Sequence, residues 1–167
     1  ENRFADRCRK LGFSVVQPEH VVREHVRDAY KHLNSKDMYV EGLLVEVKGR
    51  GFNFTSLEDF QYQEPTIDTV SGFRGKDPKP DVYVCISKDD SGVLWLPVLK
   101  TQALWQSISR HDFKRDRRDN FFVADKGLWR ELGSLVELFS LAKQDLGLAK
   151  AWLAEDVAEP ELLTLWD

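Results

Sequence analysis

The chain has 167 residues, of which 42% are hydrophobic and 31% are charged, and its formal net charge is −4. These proportions are typical of a soluble globular enzyme or binding module of single-domain size. No apolar run approaches the roughly 20 residues of a membrane span, so we expect no membrane insertion.

The charge is unevenly distributed along the chain. Residues 131–167 hold eight acidic side chains and two lysines, so residues 1–130 carry a net charge of +2. This distribution neither excludes a nucleic-acid partner nor argues for one. The chain begins at Glu1 with neither a methionine nor a signal-like segment, as a domain cut from a longer protein would.

The two cysteines give no sign of a disulfide framework or a zinc site. Cys8 and Cys85 each stand in an apolar segment, which is typical of buried thiols. A reducing cytoplasm is the compartment that fits this cysteine usage best.

The first predicted elements are helices and a short strand. Apolar side chains recur at helical spacing from Glu1 to Leu11, and Gly12 ends this helix. Residues 14–16 continue as a strand, and residues 19–33 repeat apolar side chains with a helical period.

A β-hairpin is predicted next. Met38 to Val40 and Leu43 to Val47 are rich in strand formers, and Glu41-Gly42 between them is a two-residue connection of the kind that closes hairpins. Two adjacent antiparallel strands therefore follow the first helical region.

Three charged side chains converge at one end of this hairpin. Because side chains alternate along a strand, Glu46 and Lys48 project from the same face. Asp37 starts the first strand and so lies near the end of the second. Two carboxylates can hold a hard cation such as Mg²⁺, which lowers the pKa of a bound water and neutralises charge on a phosphate. A cross-strand salt bridge on a solvated face is the alternative interpretation.

A helix, a strand and a hairpin that carries Asp37 and Glu46-x-Lys48 resemble the PD-(D/E)XK nuclease superfamily. Within it, the order of elements is similar to that of archaeal Holliday junction resolvases and restriction-endonuclease-like domains. The resemblance covers residues 1–100 as an order of elements, and only a handful of residues as a motif. Lys36 stands where that family has a proline.

The resemblance implies roles for individual residues. Glu1 precedes Gly12-Phe13 much as a glutamate of the first helix precedes a Gly-aromatic pair in that family. The implied cofactor is Mg²⁺ or Mn²⁺. The implied catalytic residues are Asp37, Glu46, Lys48 and Glu1, and the implied metal ligands are Asp37, Glu46, the Val47 backbone carbonyl and Glu1.

Several basic residues are candidate phosphate contacts. Arg50 stands between two glycines just after the hairpin, where it can face a phosphate or simply follow the end of a strand. Residues 72–80 read as a basic loop, and residues 110–119 hold five lysines or arginines against three aspartates. Both segments are alternatively solvated or salt-bridged surface. The candidate nucleic-acid contacts are Arg50, Arg74, Lys76, Lys114, Arg115, Arg117 and Arg118.

The remaining pattern predicts an α/β fold with a mixed central sheet of about five strands flanked by helices, and the resemblance implies a restriction-endonuclease-like arrangement. Alternating or continuous apolar runs mark the strands, and apolar side chains at a period of 3.6 mark the helices. Predicted strands cover residues 66–70, 81–87, 92–98 and 121–124, and predicted helices cover residues 101–109 and 128–139.

Two regions are predicted: a nuclease-like α/β domain at residues 1–145 and a helical extension at residues 146–167. The extension is apolar enough to pack on the core or on a partner, and it is compatible with a homodimer. The resemblance implies an endonuclease that acts on DNA. The alternatives are an RNA endonuclease of the same fold and a non-catalytic nucleic-acid-binding or assembly module. The complete Asp, Glu and Lys set favours the enzyme.

Overall fold

The computed structural model describes residues 1–18, 37–112 and 116–155, and over these ranges the chain is a mixed α/β protein. No described helix is both long enough and apolar enough to cross a membrane. The helices are α1 (Asn2–Lys10), α2 (Val70–Gly75), α3 (Val98–Thr101), α4 (Leu132–Gln144) and α5 (Leu146–Ala154). The strands are β1 (Val15–Val16), β2 (Met38–Val40), β3 (Leu43–Gly49), β4 (Thr66–Thr69), β5 (Val82–Ile86), β6 (Val93–Pro97), β7 (Gln106–Asp112), β8 (Arg117–Val123) and β9 (Arg130–Glu131).

The central element is a six-stranded sheet in the order β1-β2-β3-β5-β6-β9. Neighbouring strands pair antiparallel except β3 and β5, which are parallel. A parallel pair needs a crossover connection, and the segment that contains β4 and α2 supplies it. The predicted mixed sheet is confirmed, but the predicted count of five strands is too low. The additional strand, β9, is only two residues long and carries no strand pattern in the sequence.

The predicted hairpin is confirmed as β2 and β3. Glu41 and Gly42 have φ angles of 48° and 84°, which are the left-handed conformations that a tight two-residue turn of this kind needs. Met38 pairs with Val45, and Val40 pairs with Leu43. This register places Asp37, just before β2, beside the second half of β3.

The six-stranded sheet buries both faces. On one face, Val45, Val47 and Val84 pack with residues of α1, α4 and α5, and we call this cluster of buried side chains the helix-side core. On the other face, Tyr83 and Cys85 pack against β4 and α2, and we call this second cluster the sheet-side core. A second, three-stranded sheet in the order β4-β8-β7 lies on this sheet-side face. The alternation of β3 therefore turns Glu46 and Lys48 toward the sheet-side core.

The helix predicted over residues 101–109 is wrong. Only the short α3 and one 3₁₀ turn at Gln102–Leu104 precede β7, which pairs with β8 along its whole length. Ser107, Ile108 and Ser109 are weak helix formers, and pairing with β8 decides their conformation. The charged segment at residues 110–119 includes the ends of both strands of this hairpin.

The C-terminal helices pack on the helix-side core. The predicted helix over residues 128–139 corresponds to α4, which begins at Leu132 and continues to Gln144. Ala149 and Leu153 of α5 are buried in the same core. Residues 146–154 of the predicted extension therefore lie against the domain. Residues 156–167 and the helix predicted over residues 19–33 lie outside the described ranges.

Candidate active site

Asp37 and Glu46 lie together beneath the second sheet. Their side chains share the face of the central sheet that carries Tyr83, because Glu46 and Tyr83 are neighbours in the β3–β5 register. Both carboxylates are buried, with residue exposures of 1% for Asp37 and 7% for Glu46. The two carboxylates that the hairpin pattern placed side by side are thus brought together, and they are withdrawn from solvent.

Lys76 joins these two carboxylates. Its Nζ lies 3.1 Å and 2.9 Å from the two oxygens of Asp37 and 2.9 Å from Oε2 of Glu46. The side chain is 3% exposed. Lys76 therefore does not lie on an exposed basic loop, as the sequence suggested, because two buried carboxylates draw its ammonium group inward.

Lys48 extends the network toward the second sheet. Its Nζ forms an ion pair with Oε1 of Glu46 and lies 3.3 Å from Oδ1 of Asp68 on β4. The Tyr83 hydroxyl donates a 3.1 Å hydrogen bond to the other oxygen of Asp68. The Lys48 side chain is 30% exposed, so it forms the solvent-facing edge of the group.

The acidity of Asp37 follows from its burial. Desolvation and the neighbouring Glu46 carboxylate raise the pKa of Asp37 from 3.8 to about 6, although the Lys76 ammonium opposes this shift. Ionised Asp37 therefore depends on a positive charge beside it. A divalent cation in this place would favour the ionised form further.

Lys48 is held in its charged form. Burial alone would lower its pKa, but the Glu46 and Asp68 carboxylates raise it above the usual value. Burial also raises the pKa of Tyr83 well above its usual range, and the Glu46 and Asp68 carboxylates add to this effect. At neutral pH the group therefore holds a protonated Lys48 and a neutral Tyr83 hydroxyl.

The carboxylate oxygens of Asp37 and Glu46 are ligands of the type that a hard divalent cation binds. Carboxylate oxygens are the ligands that Mg²⁺ prefers, and both oxygens of Glu46 face a positive charge, Oε1 that of Lys48 and Oε2 that of Lys76. No three Asp, Glu, His or Cys side chains of the described ranges converge closely enough to form a complete metal cage. The Lys76 ammonium lies between the two central carboxylates, so a cation there would compete with it for the same oxygens.

Glu1 does not join this group. It is exposed at the start of α1, and its carboxylate makes no hydrogen bond or ion pair with a described residue. Helix α1 packs in the helix-side core, whereas Asp37 and Glu46 face the opposite side of the sheet. The structure therefore places Glu1 apart from the two carboxylates with which it was predicted to share a metal ion. The Val47 side chain is also buried in the helix-side core, and only its backbone lies next to Glu46.

The predicted nucleic-acid contacts are scattered. Arg50 donates hydrogen bonds to Sγ of Cys85 and to the Thr66 carbonyl, and it is half-buried. Arg74 is exposed at the end of α2. Arg117 and Arg118 are exposed at the start of β8, where Arg117 lies 3.1 Å from Asp119. Lys114 and Arg115 lie outside the described ranges.

Sequence reasoning missed three members of the network: Asp68, Tyr83 and the buried position of Lys76. Asp68 stands in a four-residue strand and has no distinctive neighbours in the sequence. Tyr83 carries the one available signal, because a tyrosine within a fully buried strand needs a partner for its hydroxyl group.

No protein-family model, no curated protein and no solved structure matches this chain. The geometry of the site is therefore the basis on which its function is inferred.

Proposed function

We propose that the chain is a metal-dependent nuclease of the PD-(D/E)XK type, with a restriction-endonuclease-like fold, that hydrolyses phosphodiester bonds in DNA. The observation that carries the proposal is the convergence of Asp37, Glu46 and Lys48 on one face of the β2–β3 hairpin. Both carboxylates lie within about 3 Å of a single cationic nitrogen, a spacing that suits the sharing of one ion.

Asp37 and Glu46, with the Val47 carbonyl, would hold Mg²⁺ or Mn²⁺. Such an ion, when bound, supplies a water of lowered pKa and neutralises charge on the phosphate. Both oxygens of Glu46 face a lysine ammonium, Oε1 that of Lys48 and Oε2 that of Lys76, and this supports the assignment because the surroundings of the two carboxylates favour positive charge.

Lys48 acts as a fixed positive charge. Its raised pKa keeps it protonated at neutral pH, so it stabilises negative charge that develops on the phosphate oxygens and does not accept a proton. Asp68 and Glu46 orient the ammonium group between them. The partial exposure of Lys48 leaves it accessible to a substrate phosphate.

Lys76 keeps the two central carboxylates together. Without a positive charge between them, two buried carboxylates would repel each other and lose the ionised form that a metal ligand requires. Lys76 thus maintains the arrangement of Asp37 and Glu46 before an ion binds. It is a positioning residue, since it reaches no solvent-facing surface.

The competing function is a non-catalytic nucleic-acid-binding or assembly module. One observation favours it: Lys76 and Lys48 already neutralise much of the charge of the three carboxylates. A network of this kind also occurs as a purely structural feature of a core. An RNA endonuclease of the same fold is the variant that differs in substrate alone.

A cleavage screen tests the proposal. Labelled single-stranded, duplex, nicked and branched DNA, and single-stranded and duplex RNA, are incubated with the protein in Mg²⁺, Mn²⁺ or EDTA. The proposal predicts cleavage of at least one DNA substrate in a divalent cation and none in EDTA. Lys48→Ala should abolish this cleavage. A folded protein that cleaves no substrate in either cation would favour the non-catalytic module.

A further inference from the structure

An open cleft adjoins the candidate active site. It has a volume of about 700 Å³ and lies between the end of β3 and the segment that leads into β4. Gly49, Arg50 and Gly51 form one side, and Thr66 lies on the other. A Cβ at either glycine would meet no atom within 4 Å, so this side of the cleft is open. We call this feature the aromatic cleft, after Phe52, Phe60 and Tyr62, which also line it.

Both sides of the aromatic cleft are close in the chain to residues of the candidate active site. Arg50 stands two residues after Lys48, and Thr66 stands two residues before Asp68. In extended chain, two residues span about 7 Å. The hydrogen bond from Arg50 to the Thr66 carbonyl joins the two sides. Arg50 and Thr66 of the cleft lining are therefore each about 7 Å along the chain from a residue of the site.

Aromatic side chains make one part of the cleft suitable for stacking. The ring centroids of Phe52 and Tyr62 are 5.3 Å apart, and those of Phe52 and Phe60 are 5.2 Å apart, both in edge-to-face contact. Phe60 is buried and fixes the cluster, whereas Tyr62 is 49% exposed. A rigid cluster with a half-exposed tyrosine presents a surface on which a planar ring can stack.

The other part of the cleft is positively charged. Arg50 is held by Cys85 through Nε and Nη2, and no described residue accepts a hydrogen bond from its Nη1. Arg110 is exposed on β7, where its Nη1 lies 3.2 Å from Thr66 Oγ1. None of the described residues that line the cleft is acidic. The lining therefore combines an aromatic surface with two arginines, which matches a nucleobase joined to a phosphate.

We propose that the aromatic cleft binds one unpaired nucleotide of a single-stranded nucleic acid, with its base against Tyr62 and its phosphate at Arg50 and Arg110. In a duplex the faces of a base are covered by its stacked neighbours, so a cleft that stacks a base selects unpaired strands. The inference rests on the proposed function for one point, the position of the scissile phosphate at Lys48.

Binding is measured by fluorescence anisotropy in EDTA, where no metal-dependent turnover occurs. The probes are a 5′-fluorescein 12-nucleotide single strand of mixed sequence and the same strand annealed to its complement. The wild type should bind the single strand at least about tenfold more tightly than the duplex. Tyr62→Ala should raise the Kd for the single strand about tenfold or more, since it removes one stacking contact. Arg110→Ala should also raise the Kd and reduce its dependence on salt.

Tyr39→Ala is the matched control. Tyr39 is 40% exposed on β2 and lies outside the cleft, so this variant should bind the single strand as the wild type does. Thermal melting of each variant checks that the fold is retained. Unchanged single-strand binding by Tyr62→Ala and Arg110→Ala, or equal affinity of the wild type for single strand and duplex, would overturn the inference.

The two proposals fail separately. Single-strand binding that depends on Tyr62, in a protein that cleaves nothing, would support the cleft and contradict the nuclease. Metal-dependent cleavage by a protein whose Tyr62→Ala variant binds and cleaves normally would support the nuclease and contradict the cleft.

Discussion

Lys76→Met removes the positive charge between the two central carboxylates while keeping most of the apolar stem. Oδ2 of Asp37 and Oε2 of Glu46 each lie 2.9 Å from Lys76 Nζ, so these oxygens are at most about twice that distance apart. At an effective dielectric constant near 20, two unit charges roughly 6 Å apart repel by about 3 kcal/mol. Removing one member of a buried ion pair typically costs about 3–5 kcal/mol. We therefore expect Lys76→Met to lower the free energy of unfolding by about 3–5 kcal/mol at pH 8 in EDTA.

A divalent cation should restore much of this loss. In this variant the two carboxylates no longer have an ammonium group between them. If Mn²⁺ binds there, an Mn²⁺ concentration of 100 times the Kd for this site would stabilise the variant by about 2.7 kcal/mol. The wild type should gain less, because the ion must compete with the Lys76 ammonium. Urea denaturation followed by circular dichroism, in EDTA and in Mn²⁺, measures both quantities.

Lys88→Met is the control for this prediction. Lys88 is exposed in the turn between β5 and β6, so its substitution should change stability little in either buffer. The reasoning would be refuted if Lys76→Met were as stable as Lys88→Met in EDTA, or if Mn²⁺ stabilised both variants equally.

Three further predictions concern the surroundings of the site. The pKa of Asp37 is raised from 3.8 to about 6, so its ionisation lowers stability as pH rises through 6. In EDTA, the stability of Asp37→Asn relative to the wild type should therefore increase by up to roughly 3 kcal/mol from pH 4 to pH 7.5. A pH-independent difference between the two proteins in urea denaturation would contradict this. A Cβ on Gly72 would lie 2.5 Å from Thr69 Oγ1, the N-cap of α2, so Gly72→Ala should lower the free energy of unfolding by about 1–2 kcal/mol. Gly133→Ala, in an open part of α4, should leave it unchanged or raise it, and equal melting temperatures for the two variants would count against the packing argument. Tyr83→Phe removes the buried hydroxyl that donates to Asp68 and should cost about 1 kcal/mol in the same assay, a loss that a wild-type melting temperature would rule out.

The part of the site that lies on one hairpin could be predicted from the sequence. Glu41-Gly42 fixes the turn, the turn fixes the register, and the alternation of side chains then places Glu46 and Lys48 on one face. Each of these steps depends on neighbours within about ten residues. Asp37 follows from the same register.

The remaining members of the network depend on tertiary structure. Lys76 reaches Asp37 across 39 positions of sequence, and Asp68 approaches Lys48 only because the second sheet folds over the first. Sequence patterns record whether a segment is basic or apolar, and they do not record which buried charge it will meet. The sequence therefore predicted Lys76 to be one of several exposed basic residues in a loop.

The error at β7 has the same origin. Gln106 to Asp112 is polar apart from Ile108, so neither helical nor strand periodicity is distinct there. Pairing with β8 supplies the hydrogen bonds that decide its conformation. The strand β9 is likewise defined by pairing with β6 and by no pattern of its own.

The most direct test of the central claim is the rate at which Glu46→Gln cleaves the best substrate of the screen in Mg²⁺. This variant keeps the shape of the side chain and removes the charge that would hold the ion. The account predicts a loss of about a hundredfold to a thousandfold in rate, the scale of removing one group that stabilises transition-state charge, with retained binding of the nucleic acid in EDTA. Glu137→Gln, an exposed position on α4, should cleave as the wild type does. Wild-type activity in Glu46→Gln would show that Asp37, Glu46 and Lys48 are not the active site.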